Sequence, residues 1–151
     1  MQDSVELVGP QGARVRATII PDGYFRLSAG NYDYCSFLEV DMGTETVRSS
    51  KFGRRDFSRK ILGYREYYRT GLYQQKFDQE HRYEEFPMLV LTVTTSAQRM
   101  ANLKAVAETC GAGEEFWFTT FDQVTPRSVL ERPIWEIAGQ DGRFSLVWPD
   151  D

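Results

Sequence analysis

The run PMLVLTVTTSA, from Pro87 to Ala97, is the longest uncharged apolar stretch of the chain. It is short and rich in β-branched residues, so it reads as a buried central strand. A strand buried on both faces needs layers above and below it, which restricts the chain to a sheet with helices packed on it. Ser96 directly follows this strand and is a fit N-cap for a helix running from Ala97 to about Thr109, with Gly111-Ala112-Gly113 as its stop. The same run is far short of the roughly 20 apolar residues that span a bilayer, and the polar start MQDSVEL lacks a signal-peptide pattern.

Before this strand the periodicity changes once. Residues Val5 to Val8, Arg14 to Leu27 and Cys35 to Val40 read as strands, punctuated by Gly9-Pro10-Gln11-Gly12 and Ser28-Ala29-Gly30-Asn31. Pro21-Asp22-Gly23 interrupts the second of these and puts Asp22 at a bend. Past Met42-Gly43-Thr44, Phe57, Ile61, Tyr64, Tyr68 and Leu72 recur at helical steps, with Gly71 as the expected end of the helix. The polar residues from Gln74 to Glu85 suggest a surface loop, and EFWFTTFDQV gives a further strand. A short hairpin is expected around Gln140-Asp141-Gly142. The order of elements predicts an α/β fold with a mixed central sheet flanked by helices, and 151 residues suit one domain.

Charge is unevenly spread. The chain carries a net −4, yet Arg48 to Arg69 holds eight basic residues against Asp56 and Glu66, so this segment is +6 and the rest is −10. The overall balance excludes a globally basic nucleic-acid binder, while the segment can form a local anion-binding face or a solvated helix face. Cys35 and Cys110 lie too far apart for the usual zinc spacings and read as two reduced thiols of a cytoplasmic protein. His81, in a charged stretch without a Ser or Cys partner, is assigned no role, and Trp117, Trp135 and Trp148 read as core or interface anchors.

Glu39 and Asp41 alternate onto one face of the SFLEVDM strand, and Asp22 precedes them at a bend. Carboxylates converging from adjacent strands can hold a hard divalent cation such as Mg2+ or Mn2+ beside a phosphate; they can equally be turn-forming and surface acids.

These residues carry a resemblance. Pro21-Asp22-Gly23-Tyr24-Phe25, Phe37 to Glu45, Lys60 and Tyr64, Val90 to Thr94 with Ser96 and Arg99, Phe118-Thr119-Thr120 and Ile134-Trp135 together resemble the replication-relaxation family over most of residues 15 to 136. The resemblance implies a protein of bacterial plasmids and integrative elements, with a winged-helix segment followed by a restriction-endonuclease-like domain of the PD-(D/E)XK type. This chain would then be the C-terminal part of a longer protein, a single nuclease-like domain over residues 1–151. Carried over, Asp22 and Glu39 are the two metal ligands. Asp41 stands where an active member usually has Lys: either Lys60, or less readily Lys51, reaches back to replace the missing cation, or Asp41 serves as a third ligand, or catalysis has been lost.

The expected catalytic set is therefore Asp22, Glu39, Asp41 and Lys60, with Mg2+ or Mn2+ as cofactor, and the expected DNA contacts are Arg54, Arg55, Arg59, Tyr64 and Arg99. Arg99, in the first turn of its helix, opposes the helix dipole and calls for a partner, a phosphate or a nearby carboxylate. Tyr64, Tyr67 and Tyr68 stack on bases or pack in the core. DNA and replication or transfer proteins are the expected partners, with no membrane. The rival expectation is a catalytically inactive DNA- or protein-binding module.

Overall fold

The computed structural model describes residues 2–29, 32–47, 56–77 and 88–147. Two strands, β1 (Asp3–Val8) and β2 (Arg14–Ile19), pair antiparallel into a ribbon of their own. Five more form the main sheet in the order β3 (Gly23–Ala29), β4 (Tyr32–Val40), β5 (Leu89–Thr94), β6 (Phe116–Thr120) and β7 (Glu136–Ile137). The pairs β3–β4 and β6–β7 are antiparallel, and β4–β5 and β5–β6 are parallel. The sheet is thus mixed and the fold is α/β, as the order of elements predicts.

Among the described residues three α-helices lie in the connections: α1 (Phe57–Arg69), α2 (Leu72–Phe77) and α3 (Ala97–Thr109). One face of the sheet, carrying Phe37, Val90, Phe116 and Phe118, packs with Ile61 and Tyr64 of α1 and with Met100 and Leu103 of α3. Leu91, Val93 and Trp117 point to the other face and are covered by Ile134, Trp135 and Leu146 of the C-terminal segment. This division follows from the two-residue period of the strands. Trp135 and Phe144 exchange backbone hydrogen bonds of 3.1 and 2.7 Å, closing the hairpin expected there. Trp117 and Trp135 are core residues; Trp148 and His81 lie outside the described residues. Neither Cys35 nor Cys110 is in a disulfide, and Cys35 is buried.

Two expectations need correction. The early strands do not all join one sheet: the ribbon packs on α1, with Val5, Leu7, Ala17 and Ile19 in the same core as Ile61 and Tyr67. Gly63 lies at this contact, where a β-carbon would sit 3.5 Å from Ala17 Cβ. Residues Gln74 to Phe77, read as loop, belong to α2. Its polar sequence hides an i, i+4 pair, Tyr73 and Phe77, whose rings stack at 5.6 Å. Both rings also pack on Phe37, at 5.9 and 5.5 Å, each such aromatic pair contributing about 0.5–1.5 kcal/mol beyond area burial. Gly71, at φ +79°, turns the chain between α1 and α2, and its N–H reaches Tyr68 O at 3.1 Å. The rest of the expected loop lies outside the described residues. No helix among the described residues is long and apolar enough to cross a membrane.

Candidate functional site

Strands β4, β5 and β6 run parallel, so their carboxyl ends share one edge of the sheet, the usual place for a ligand in an α/β fold. Glu39 is the penultimate residue of β4, on the face that carries Phe37, and Asp41 follows just past the strand end. The helix α1 crosses this face. Asp56 caps it, its Oδ1 accepting the Arg59 N–H at 2.9 Å and the Ser58 hydroxyl at 2.6 Å. The Phe57 and Ser58 N–H groups bond to the carbonyls of Thr46 and Val47. Cap and loop together satisfy the first-turn donors and set the direction in which Lys60 leaves the helix.

Lys60 Nζ lies 3.0 Å from Glu39 Oε2 and 3.2 Å from Glu45 Oε2. The Tyr64 hydroxyl, one helical turn on, donates to Glu39 Oε1. Both oxygens of Glu39 are thus engaged, and the residue is only 4% exposed. Burial raises its pKa, and the opposing influence of Lys60 and Tyr64 does not cancel this; the charge of Asp22 pushes in the same direction as burial. Burial disfavours the Lys60 ammonium, but Glu39 and Glu45 outweigh it and raise the lysine pKa, so the amine is charged at neutral pH. Burial likewise pushes the Tyr64 phenol well above its usual range, with Glu39 adding to the effect. It stays a hydrogen-bond donor.

Asp22, at the bend before β3, joins this group from the neighbouring strand. Its N–H bonds to Leu38 O at 3.0 Å and its Oδ2 accepts the Val40 N–H at 2.7 Å. No other partner among the described residues claims its second oxygen. Beside Glu39 on β5, Thr92 keeps a buried hydroxyl with no hydrogen-bond partner among the described residues. A cavity of about 220 Å³ opens between β2 and α1, bounded by Ile20, Glu39, Glu45, Arg59 and Lys60.

Asp41 lies in a different constellation. Arg99 holds it in a two-pronged pair, Nε to Oδ2 at 2.8 Å and Nη2 to Oδ1 at 2.9 Å, and the Thr94 hydroxyl donates to Oδ2 at 2.6 Å. Burial would raise its pKa, but these donors overcome that and hold the carboxyl below its ordinary value. Arg99 Nη2 also reaches Glu45 O at 2.6 Å. The partner that a first-turn arginine calls for is therefore Asp41, and both Asp41 oxygens are taken up by it. Among the described residues no three of His, Cys, Asp and Glu gather into a group that could hold a metal ion.

The expected residues thus divide. Asp22, Glu39 and Lys60 come together, whereas Asp41 and Arg99 neutralise each other one strand-step away. Tyr64 is not on a nucleic-acid face: at 1% exposure its ring packs 5.5 Å from Phe37, and only its hydroxyl enters the site. Arg59 borders the cavity, with Nη2 donating to Arg16 O. Arg54 and Arg55, with Lys51, lie outside the described residues. Sequence reading missed Glu45, Asp56 and Thr94. Asp56 carried a signal, an N-cap type directly before a helical period, while Glu45 sits in a loop without one.

Residues 5–79, just under half of the chain, match the family model described as Replication-relaxation, and the match spans Asp22, Glu39, Lys60 and Tyr64. No curated protein and no solved structure gives a significant match.

Proposed function

We propose that this chain is a replication-relaxation protein that acts on DNA during the replication of a plasmid or other mobile element, and that Asp22, Glu39 and Lys60 form a phosphodiester-cleaving centre of the PD-(D/E)XK type. The match over residues 5–79 supports the replication role. The observation that carries the chemistry is Lys60 Nζ at 3.0 Å from Glu39 Oε2, a helix-borne amine in the neighbourhood where a strand lysine is missing. DNA and replication or transfer proteins are the partners of this reading, in the cytoplasm.

The donors suit a hard cation. Among the described residues Asp22 offers an oxygen without a partner and the Thr92 hydroxyl beside Glu39 is unpartnered, while Glu39 offers Oε2 when Lys60 moves aside. Bound Mg2+ or Mn2+ would supply charge against the phosphate and a more acidic water. The chain's own contributions are separable. Asp22 and Glu39 hold the cation, Tyr64 keeps Glu39 in one orientation, and Lys60 offsets negative charge as it builds on the attacked phosphate. Arg59, at the cavity rim, and the arginines 54 and 55 contact neighbouring phosphates.

Incubating the protein with supercoiled and single-stranded DNA plus MgCl2 or MnCl2 tests this. Cleavage that disappears in Asp22→Ala and Glu39→Ala is expected. No cleavage, or cleavage indifferent to both substitutions, sinks the enzymatic version.

One observation favours a second reading, a catalytically inactive nuclease-like module that binds DNA or protein. Asp41, in the lysine position of the motif, is consumed by Arg99, and both Glu39 oxygens are already satisfied. Retained DNA binding with no heat of Mn2+ binding in a calorimetric titration would favour that module over the enzyme.

A further inference from the structure

The amine of Lys60 is shared. It stands 3.0 Å from Glu39 Oε2 and 3.2 Å from Glu45 Oε2, so two carboxylates on different segments hold one ammonium between them. Their surroundings differ: the Glu39 side chain is 5% exposed and the Glu45 side chain 32%. Glu45 is also the fixed one in its main chain, because its carbonyl accepts Arg99 Nη2 at 2.6 Å and Arg99 is pinned by Asp41. The neighbouring loop residues Thr46 and Val47 bond to the first turn of α1, which carries Lys60. Loop and helix are thereby tied together.

A protonated amine and a divalent cation compete for the same oxygen of Glu39. A lysine with no other partner would leave for solvent when the cation arrived, and its charge would be lost from the site. We propose that Glu45 is a positioning residue that receives Lys60 when Glu39 Oε2 passes to a divalent cation, so that the amine vacates the ligand yet stays beside the reacting phosphate. The inference rests on the reading of Asp22 and Glu39 as cation ligands. The role it assigns to Glu45 is argued from the shared amine. A small rotation of the lysine side chain suffices, since both carboxylates are already within contact distance.

Glu45→Gln is the suitable variant, because it removes the charge and keeps the main-chain carbonyl that Arg99 uses. In a calorimetric titration with MnCl2 the wild type binds, and Glu45→Gln binds roughly fivefold more weakly, since Lys60 then clings to Glu39. The same substitution made in a Lys60→Met background leaves Mn2+ affinity unchanged, because the effect runs through the lysine. A loss of equal size in that background would mean that Glu45 attracts or binds the cation directly, and would overturn the proposal. So would equal affinity of wild type and Glu45→Gln, while leaving Asp22 and Glu39 as ligands. A wild type that binds neither Mn2+ nor Mg2+ overturns both this proposal and the reading beneath it.

Should Lys60→Met fail to fold, NMR on protein labelled with 15N-lysine decides the matter. The Lys60 ammonium signal persists through an MgCl2 titration of wild type and is lost to solvent exchange in Glu45→Gln. Its disappearance from wild type on adding MgCl2, with binding seen by calorimetry, would count against Glu45.

Discussion

Lys60 Nζ stands 3.0 Å from Glu39 Oε2, a cation from the second residue-pair of helix α1 meeting a carboxylate one residue short of the end of strand β4. The Glu39 side chain is only 5% exposed, and the pair is fixed further by Tyr64 on Oε1 and Glu45 on the amine. Even so, burial keeps the Glu39 pKa above its ordinary value. A buried acid that the fold does not fully compensate is a stability cost, and such costs concentrate where a protein binds or reacts.

That cost predicts the behaviour of Glu39→Gln. A carboxyl whose folded pKa is raised contributes stability that is fully present below its ordinary value of 4.5 and is lost as pH rises through the folded pKa. Glutamine keeps an oxygen for Tyr64 and leaves Lys60 its pair with Glu45, but carries no charge. Urea unfolding at pH 7.5 should therefore find the variant at least as stable as wild type. Its advantage should shrink as pH falls toward 4.5. A variant destabilised at pH 7.5 and not at pH 4.5 would show that the ion pair outweighs the burial of Glu39.

Arg99→Ala has the opposite sign. It strands Asp41, whose side chain is 5% exposed, with the Thr94 hydroxyl as its one remaining side-chain donor among the described residues. Removing one partner of a buried pair costs about 3 kcal/mol. The Asp41 pKa is held below its ordinary value of 3.8, so its stabilisation is present above 3.8 and is lost as pH falls through the lower folded value. The gap between variant and wild type should be full at pH 7 and should close in acid, which unfolding curves at a series of pH values would register.

Much of this was legible in the sequence because it is local. Ser96 as N-cap and the helix Ala97–Thr109 follow from side-chain chemistry and period, and the Ser96 hydroxyl does accept the Arg99 N–H at 3.1 Å. The buried strand at residues 89–94 followed from its β-branched composition. What escaped depends on contacts distant in sequence. Tyr73 and Phe77 make a helix of a polar stretch only because Phe37 and Tyr24 receive them. The ribbon β1–β2 leaves the main sheet because α1 offers it an apolar face, including Gly63. At the site, the acids on adjacent strands could be read from alternation, whereas the choice of Arg99 by Asp41 and of Glu45 by Lys60 depends on where the loop 41–47 passes.

Gly63 was invisible in the helical period and is now a test of the ribbon's packing. A β-carbon there would meet Ala17 Cβ at 3.5 Å and Ile19 Cγ1 at 3.8 Å, ordinary contact distances. Glycine inside a helix costs about 0.5–1 kcal/mol relative to alanine. Gly63→Ala should therefore stabilise the protein by that amount and raise the melting temperature by about 1–4 °C. A fall in melting temperature would mean that β2 lies closer to α1 than these distances state.

Asp22 separates the chemistry from the fold. Its Oδ2 accepts the Val40 N–H at 2.7 Å, and this bond joins the bend before β3 to the end of β4. Asparagine can place its carbonyl oxygen there, so Asp22→Asn should keep the hydrogen bond and lose no more than about 0.5 kcal/mol of stability, as usual for exposed positions. Alanine cannot, and should lose about 1 kcal/mol with the bond. Divalent-cation affinity should follow a different order, falling together in Asn and Ala, because the charge is what both remove. Unfolding and Mn2+ titration on the two variants thus divide the role of Asp22. If asparagine binds Mn2+ as wild type does, the acid is a strand-end brace and Glu39 lacks its partner ligand; if both variants lose the cation while only alanine loses stability, the carboxylate charge of Asp22 serves the site and its oxygen serves the fold.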